Sequence, residues 1–294
     1  MIDLHIHSNY SNDGEFEIAD IVTLCKKNGV EFFSITDHNS VKGNKEAALE
    51  AEQKGIEFAA GIKIDCNYKG TNLHVLGYHV NWQSEDFARI ENADYTKIMD
   101  SFGQMVHNLC RLGFVIDAET VLSKAEGKLP SAELIAEVML SDPKYYTHLL
   151  LPYMEEGERS DMPYINFYLD YFTQGKPAYV PVQFMDYRDA IRVIRDNRGI
   201  PIVAHPGLNL KGQEEVVEEL LNDGAAGLEV FNNYHTLNQA DYFASLAQKR
   251  NCLMTCGSDF HGKNKPLINV GQYQIIDRYK GDLINSIEKI RKAI

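Results

Sequence analysis

The chain opens on Ile2-Asp3-Leu4-His5-Ile6-His7, two histidines spaced by two among aliphatic residues. As a strand, the segment has a side-chain period of two, so Asp3, His5 and His7 share one face and Ile2, Leu4 and Ile6 the other. Two imidazoles then converge on one point. The same arrangement, an apolar run followed by chelating residues, recurs downstream. Phe32-Phe33-Ser34-Ile35-Thr36 leads to Asp37-His38, Ile200-Pro201-Ile202-Val203-Ala204 to His205, and Leu253-Met254-Thr255-Cys256 to Asp259-Phe260-His261. Asn72-Leu73-His74-Val75-Leu76-Gly77 carries one more histidine. Chelators at the carboxyl ends of several strands are what an active site on a β/α barrel requires, because strand ends and the loops after them build that face.

Helical spacing fills the gaps between these strands. Ile18, Ile21, Val22 and Cys25 fall on one helical face, and Gly29 stands where a glycine would end the helix. Asn39 or Ser40 is placed to cap the helix that runs through Ala47 to Gly55. Alternating strands and helices predict an α/β fold with a mostly parallel sheet. The alternation stops near Trp82, where Ile98, Phe102, Met105, Val106 and Leu109 give helical spacing instead. The expected division is a barrel from residues 1–82 and 183–294, with a helical insertion at 83–182 over the barrel mouth.

Composition narrows the function classes. The net charge of −13 argues against a nucleic-acid polymer as partner, which would require clustered Lys and Arg. No run approaches the roughly 18 apolar residues of a membrane span, and Met1-Ile2-Asp3-Leu4-His5 does not read as a signal peptide, so a cytoplasmic protein with no membrane contact is expected. Five dispersed cysteines, with no Cys-x-x-Cys pair, predict reduced packing residues rather than a disulfide framework. Nothing in the composition sets the oligomeric state.

In their order, these motifs resemble the polymerase and histidinol phosphatase (PHP) superfamily. The resemblance implies a distorted seven-stranded (β/α)7 TIM-like barrel that hydrolyses phosphoesters with divalent ions. His5 and His7 match the family's opening pair, Asp13 its next ligand, and His38 the histidine after Thr-Asp. His74 matches the histidine before Leu-Gly-Tyr, His205 the His-Pro ligand, and Asp259 with His261 the closing Asp-x-His. Taken singly, His74 or His205 would read as a hydrogen-bonded structural histidine and Asp13 as a turn residue; their joint occurrence at strand ends favours a metal site. Asp37 has a reading as the group that orients His38. His79, His107 and His148 lie outside the motifs and read as structural.

His5, His7 and Asp259 are expected to hold one ion and Asp13, His38 and His261 another, while His74 and His205 alone make a poor third site. Imidazole with carboxylate suits zinc, manganese or iron, so one to three divalent ions are implied. A metal-activated hydroxide would attack phosphorus. His235 matches a histidine of the small-monoester branch and is the candidate to donate the proton or hold the ester, though taken alone it reads equally as a surface histidine opening a helix near Thr236; Glu229 reads as supporting the site. The implied substrate is a small phosphorylated metabolite or nucleotide. That branch places arginines in the insertion, whereas this chain reads Gly127-Lys128-Leu129-Pro130-Ser131; Lys128, Lys263 or Lys265 would have to compensate.

One position departs sharply. Where the family has a metal-bridging glutamate, the stretch reads Ala60-Gly61-Ile62-Lys63-Ile64-Asp65. An ammonium about 4 Å from a divalent cation is repelled by roughly 8 kcal/mol at an effective dielectric near 20. Three outcomes are open: Lys63 becomes a carbamate, it turns away while Asp65 supplies a carboxylate, or its ammonium replaces one metal and serves catalysis as a phosphate clamp. The same departure keeps two further readings in view. One is an amidohydrolase-like hydrolase of carbon esters or amides; the other is a metal- or ligand-binding protein that has lost catalysis.

Overall fold

A computed structural model describes residues 1–293. From the N-terminus the elements are β1 (Ile2–Ile6), α1 (Ile18–Lys27), β2 (Phe32–Ile35), α2 (Asn44–Lys54), β3 (Glu57–Tyr68) and β4 (Thr71–Tyr78). A helical stretch follows: α3 (Glu85–Leu112), α4 (Ala118–Lys124), α5 (Ala132–Ser141) and α6 (Pro163–Tyr171). Alternation then resumes with β5 (Met185–Asp186), α7 (Tyr187–Asp196), β6 (Ile200–Val203), α8 (Pro206–Asn209) and α9 (Val216–Asn222). The chain closes through β7 (Gly227–Phe231), α10 (Leu237–Arg250), β8 (Leu253–Cys256) and α11 (Lys280–Arg291).

The strands form one eight-stranded sheet in the order β1-β2-β3-β4-β6-β7-β8, with the two-residue β5 also paired to β3. Most pairs are parallel, as the alternation predicted, but β4 is antiparallel to both β3 and β6. The cause is local. Lys69 and Gly70, with φ of 51° and 88°, make a two-residue hairpin turn between the paired residues Tyr68 and Thr71; two left-handed residues match the twist of the strands they join. The reversal places His74 inside its strand, not at a carboxyl end as expected. The strand order runs open from β1 to β8, where a closed seven-stranded barrel was expected. Beyond β8, however, the Asp259 amide donates to the His5 carbonyl (2.8 Å) and the His7 amide to the Phe260 carbonyl (3.0 Å). The loop after β8 is thereby tied to β1.

Apolar residues of β3, β4, β6, β7 and β8 form the main core with α7, α9, α10 and α11. Ile18, Ile21, Val22 and Cys25 of α1 are fully buried against β1 and β2, the face that their spacing predicted. Phe102, Leu109, Phe114, Val121, Ile135, Met139 and Phe167 gather in a separate cluster within the helical stretch. His107 and His148 are exposed there. All five cysteines are free. Among the described residues no helix is long and apolar enough to cross a membrane.

At α2 the structure departs from the expected cap: the helix begins at Asn44, after Gly43, with no side-chain cap. Asn44 serves the sheet instead, its Nδ2 donating to the Gly61 carbonyl (2.8 Å) and its Oδ1 accepting from the Gly61 amide (2.7 Å). A side chain at Gly61 would collide with Ser34 and Ile35, so this stretch of β3 has no room for another partner. Asn44→Ala would orphan both Gly61 groups, and a loss of about 3 kcal/mol is expected in urea unfolding; a change under about 0.5 kcal/mol would refute this role.

Candidate metal centre

The rim collects side chains from every part of the sheet. His5 and His7 come from β1 and the residue after it, Asp13 and His38 from the loops after β1 and β2, and Lys63 and Asp65 from β3. His74 comes from β4, His205 from the turn after β6, and Asp259 and His261 from the loop after β8. The eight expected ligands fall into three groups whose donor atoms lie within 4.8 Å of one another: His7, Asp13, His38 and His261; His5, His205 and Asp259; and His38, Asp65 and His74.

The grouping differs from the expected one. His7 joins the Asp13 group, its ring stacked on His261 at 3.9 Å between centroids, while His5 stacks on His205 at 5.4 Å. Residues two apart on a strand are about 6.6 Å apart along it, enough to face different neighbours. His74 and His205 do not form a site by themselves. His74 Nε2 faces Asp65 Oδ1 at 3.3 Å.

The outer contacts of the rings fix which nitrogen faces inward. Nδ1 meets Glu229 Oε1 in His5 (2.8 Å), Asp65 Oδ1 in His38 (2.7 Å), Asn209 Oδ1 in His205 (2.8 Å) and the Asp259 carbonyl in His261 (2.7 Å). In His7, Nδ1 meets Ser11 Oγ (3.1 Å), whose hydroxyl donates to Asp13 Oδ1 (2.7 Å). With the proton held on Nδ1 by these acceptors, Nε2 is left as an inward lone pair, the orientation of metal-ligating imidazoles. His261 Nε2 lies 3.0 Å from Asp13 Oδ2, and His5 Nε2 lies 2.8 Å from Asp259 Oδ1. Neither contact has hydrogen-bond alignment, so both nitrogens are buried without a partner. A buried lone pair facing a carboxylate calls for a cation. The donor set fits a divalent ion.

The charges agree with that fit. Burial alone would raise Asp13, but His261 and His38 hold its carboxyl well below the usual range. Burial likewise opposes ionisation of Asp259, yet His5, Lys265 and Lys63 hold it well below that range. His7 is pushed well down by burial, with His261 and Lys63 adding to the effect, and His74 and His205 by burial and then Lys63. Burial and Lys265 lower His261. His5 is the exception, because Asp259 and Glu229 raise it against the effect of burial.

Two of the gathered residues hold left-handed backbone, Asp259 at φ 57° and His205 at φ 23°. For residues other than glycine this stores roughly 1–3 kcal/mol each, a cost typical of functional sites. Glu229 steadies the second: its Oε2 accepts from the His205 amide at 2.7 Å while Oε1 holds His5. Glu229 therefore supports the site, as expected.

Other expected roles change. His235 does not present a free nitrogen, since Nδ1 donates to the Val230 carbonyl (2.8 Å) and Nε2 accepts from the Gly207 amide (2.9 Å). It ties the turn after His205 to the end of β7. His235→Ala is expected to lower stability by about 1–3 kcal/mol in urea melts while ion affinity stays unchanged; weakened ion binding would contradict this assignment. Asp37 does not touch the His38 ring. Its carboxyl, pushed up to about 7 by burial, accepts from Ser8 N (2.6 Å) and Ser8 Oγ (2.7 Å) and pins the loop that carries Asp13. Asp65 orients His38 instead.

Of the lysines, Lys128 bonds the Asn9 carbonyl and Lys263 pairs with Glu137, both at the surface. Lys265 is buried on Asp259 Oδ2 at 2.6 Å. Sequence reasoning missed Ser11, whose Ser-x-Asp spacing was the available signal. It also missed Glu133 at the start of α5, pushed up to about 7 by burial and by the Asp13 charge.

Comparison with known proteins places this site in a family. The model of the PHP domain matches residues 3–176. The chain belongs to the PHP domain family. Curated relatives align over nearly its full length. The phosphoribosyl 1,2-cyclic phosphate 1,2-diphosphodiesterase of Eggerthella lenta is 26% identical, covering 92% of this chain and 97% of the relative. The 3',5'-nucleoside bisphosphate phosphatase of Chromobacterium violaceum is also 26% identical, over 92% of this chain and 90% of its own. A 5'-3' exoribonuclease of Haemophilus influenzae is 26% identical, over 91% and 95%. The expected enzyme class, a hydrolase acting on phosphate esters, is the class these PHP relatives share. The same fold is seen in a solved amidohydrolase structure from Chromobacterium violaceum, with bound sulfate and no metal. Its TM-score is 0.79 at 22% identity, covering 98% of this chain and 96% of that one.

Proposed function

We infer that this PHP protein is a metal-dependent hydrolase of small phosphorylated metabolites or nucleotides. The observation that carries the reading is the Asp13 group: an ionised carboxylate ringed by the inward nitrogens of His38 and His261, with His7 alongside and the His261 nitrogen buried without a partner. Held there, a divalent ion supplies positive charge against the phosphoryl oxygens and acidifies water at neutral pH. We read residues 1–82 and 183–294 as a distorted barrel that carries the site, and 83–182 as an insertion above it.

The chain's own residues do the rest. Glu229, Asp65 and Ser11 keep the imidazoles in the tautomer that faces inward. Lys63 and Lys265 neutralise Asp259, so an incoming phosphate dianion meets no net repulsion from that side. Glu133, buried at the start of α5, is the proton donor that we assign to the leaving oxygen, since burial favours its neutral form. Glu133→Gln should slow hydrolysis of an alkyl phosphate by about 10² or more and that of nitrophenyl phosphate far less, because nitrophenolate leaves without a proton. Equal slowing of both would remove Glu133 from this role.

The relatives' names set the assay panel: a nucleoside 3',5'-bisphosphate, a cyclic ribose phosphate, a short 5'-phosphorylated RNA and nitrophenyl acetate, each with manganese, zinc or iron. Turnover of a small phosphate ester that a chelator abolishes is the expected result. Turnover of nitrophenyl acetate alone, or ion binding with no turnover, would reject it. The overall negative charge predicts that the RNA is the poorest phosphate substrate.

A further inference from the structure

Lys63 reaches from β3 into the middle of the centre. Its side chain is only 2% exposed, and Nζ lies 3.3 Å from both His7 Nε2 and Asp259 Oδ1. Those atoms belong to two of the three residues expected from the sequence to hold one ion. The third, His5 Nε2, approaches the same Asp259 oxygen at 2.8 Å. The other oxygen of Asp259 is taken by Lys265 Nζ at 2.6 Å. Both oxygens of this carboxylate therefore already face ammonium groups.

Asp13 is different. Among the described residues its ionic neighbours are imidazoles alone, His261 at 3.0 Å, His38 at 3.7 Å and His7 at 3.8 Å. Of these two carboxylates, Asp259 thus has its counter-charge built into the chain and Asp13 does not, while the third, Asp65, meets His38 Nδ1 through Oδ1 and Asn39 Nδ2 through Oδ2. A divalent ion bound between His7 Nε2 and Asp259 Oδ1 would have to share the space of the Lys63 ammonium, and like charges at such range repel strongly in a buried site.

We propose that the Lys63 ammonium stands in for one divalent ion of this centre, so that the protein holds a single ion, at the Asp13 group. This rests on the metal-centre reading above and adds to it the occupancy of each side. The Lys63 side chain neither turns away nor needs to become a carbamate, because its ammonium is paired where it lies. Asp65, two residues on, is committed to His38 and does not replace the missing bridge.

The test is metal content per chain by elemental analysis, on full-length protein saturated with manganese or zinc and then desalted. Wild type is expected to retain one ion. Lys63→Glu and Lys63→Met are each expected to retain two, since either removes the competing charge, and the methionine variant does so without adding a ligand. Circular dichroism shows which variants are folded, and the gain in one folded variant suffices. Two or more ions in wild type, or no gain in the folded variants, overturns the proposal. So does a native mass of wild type heavier by one carbon dioxide. Absence of any ion from wild type and variants alike would instead reject the metal centre itself, a result distinct from the others.

Discussion

Asp13→Ala is expected to strip the protein of its divalent ion and to lower kcat/KM on a phosphate monoester by about 10³-fold or more, because several kcal/mol of charge stabilisation leaves with the ion. Asp13 is the only anion of its group, and His261, His38 and His7 around it are imidazoles. Without the carboxylate, three imidazoles would have to hold the ion in a pocket with Lys265 close enough to depress His261. The Ser11 hydroxyl also loses the oxygen it donates to, and with it the link that orients His7. Asp13→Asn separates charge from shape: it keeps an acceptor for Ser11 and should still lose most of the ion. Retention of both ion and turnover by either variant would show that the Asp13 group is not the seat.

Asp65→Ala is the second large effect, and it should act through His38. The Asp65 carboxylate holds His38 Nδ1 at 2.7 Å and Asn39 Nδ2 at 3.0 Å, and it touches no other group of the Asp13 cluster. Its loss frees the His38 ring to turn or to move its proton to Nε2, so ion affinity is expected to fall about 10- to 100-fold. At saturating ion, turnover should return close to wild type. That recovery distinguishes an orienting residue from a ligand. The variant should also change the acid limb of stability. His38 lowers the Asp65 pKa despite burial, so the pair stabilises the fold above the ordinary carboxylate range. That contribution is lost as pH falls through the lowered value, and the alanine variant should lose less stability on acidification. Unchanged ion affinity would remove Asp65 from this role.

Much of the centre was legible because strand periodicity converts spacing into direction. Histidines two apart on β1, and chelators just past β2, β6 and β8, could only point to one rim once those runs were strands. What failed was anything set by neighbours distant in sequence. The partition of His5 from His7 depends on where Glu229 of β7 and the loops after β6 and β8 come to lie beside β1, which no local pattern encodes. The reversal of β4 rests on a two-residue turn, Lys69-Gly70, too short to stand out between two apolar runs. His235 drew its expected role from the family, while its actual partners, the Gly207 amide and the Val230 carbonyl, are backbone groups invisible to a reading of side chains. Lys265 stood as a substitute for the missing arginines, yet the hydrogen bonds that tie its loop to β1 carry it inward to Asp259.

Gly257 shows how closely that tie is built. A Cβ there would lie 2.3 Å from the His5 Cβ and 2.7 Å from the His5 amide, so only glycine lets the end of β8 approach β1. Its position is what allows Asp259 to stand beside His5 at all.

The central claim is that the Asp13 group binds a divalent ion, and anomalous diffraction from crystals grown with excess manganese or zinc tests it most directly. The account predicts one strong peak at bonding distance from an Asp13 carboxylate oxygen, His38 Nε2 and His261 Nε2. A rim without anomalous density, or a peak bound elsewhere while these side chains keep their positions, would contradict it.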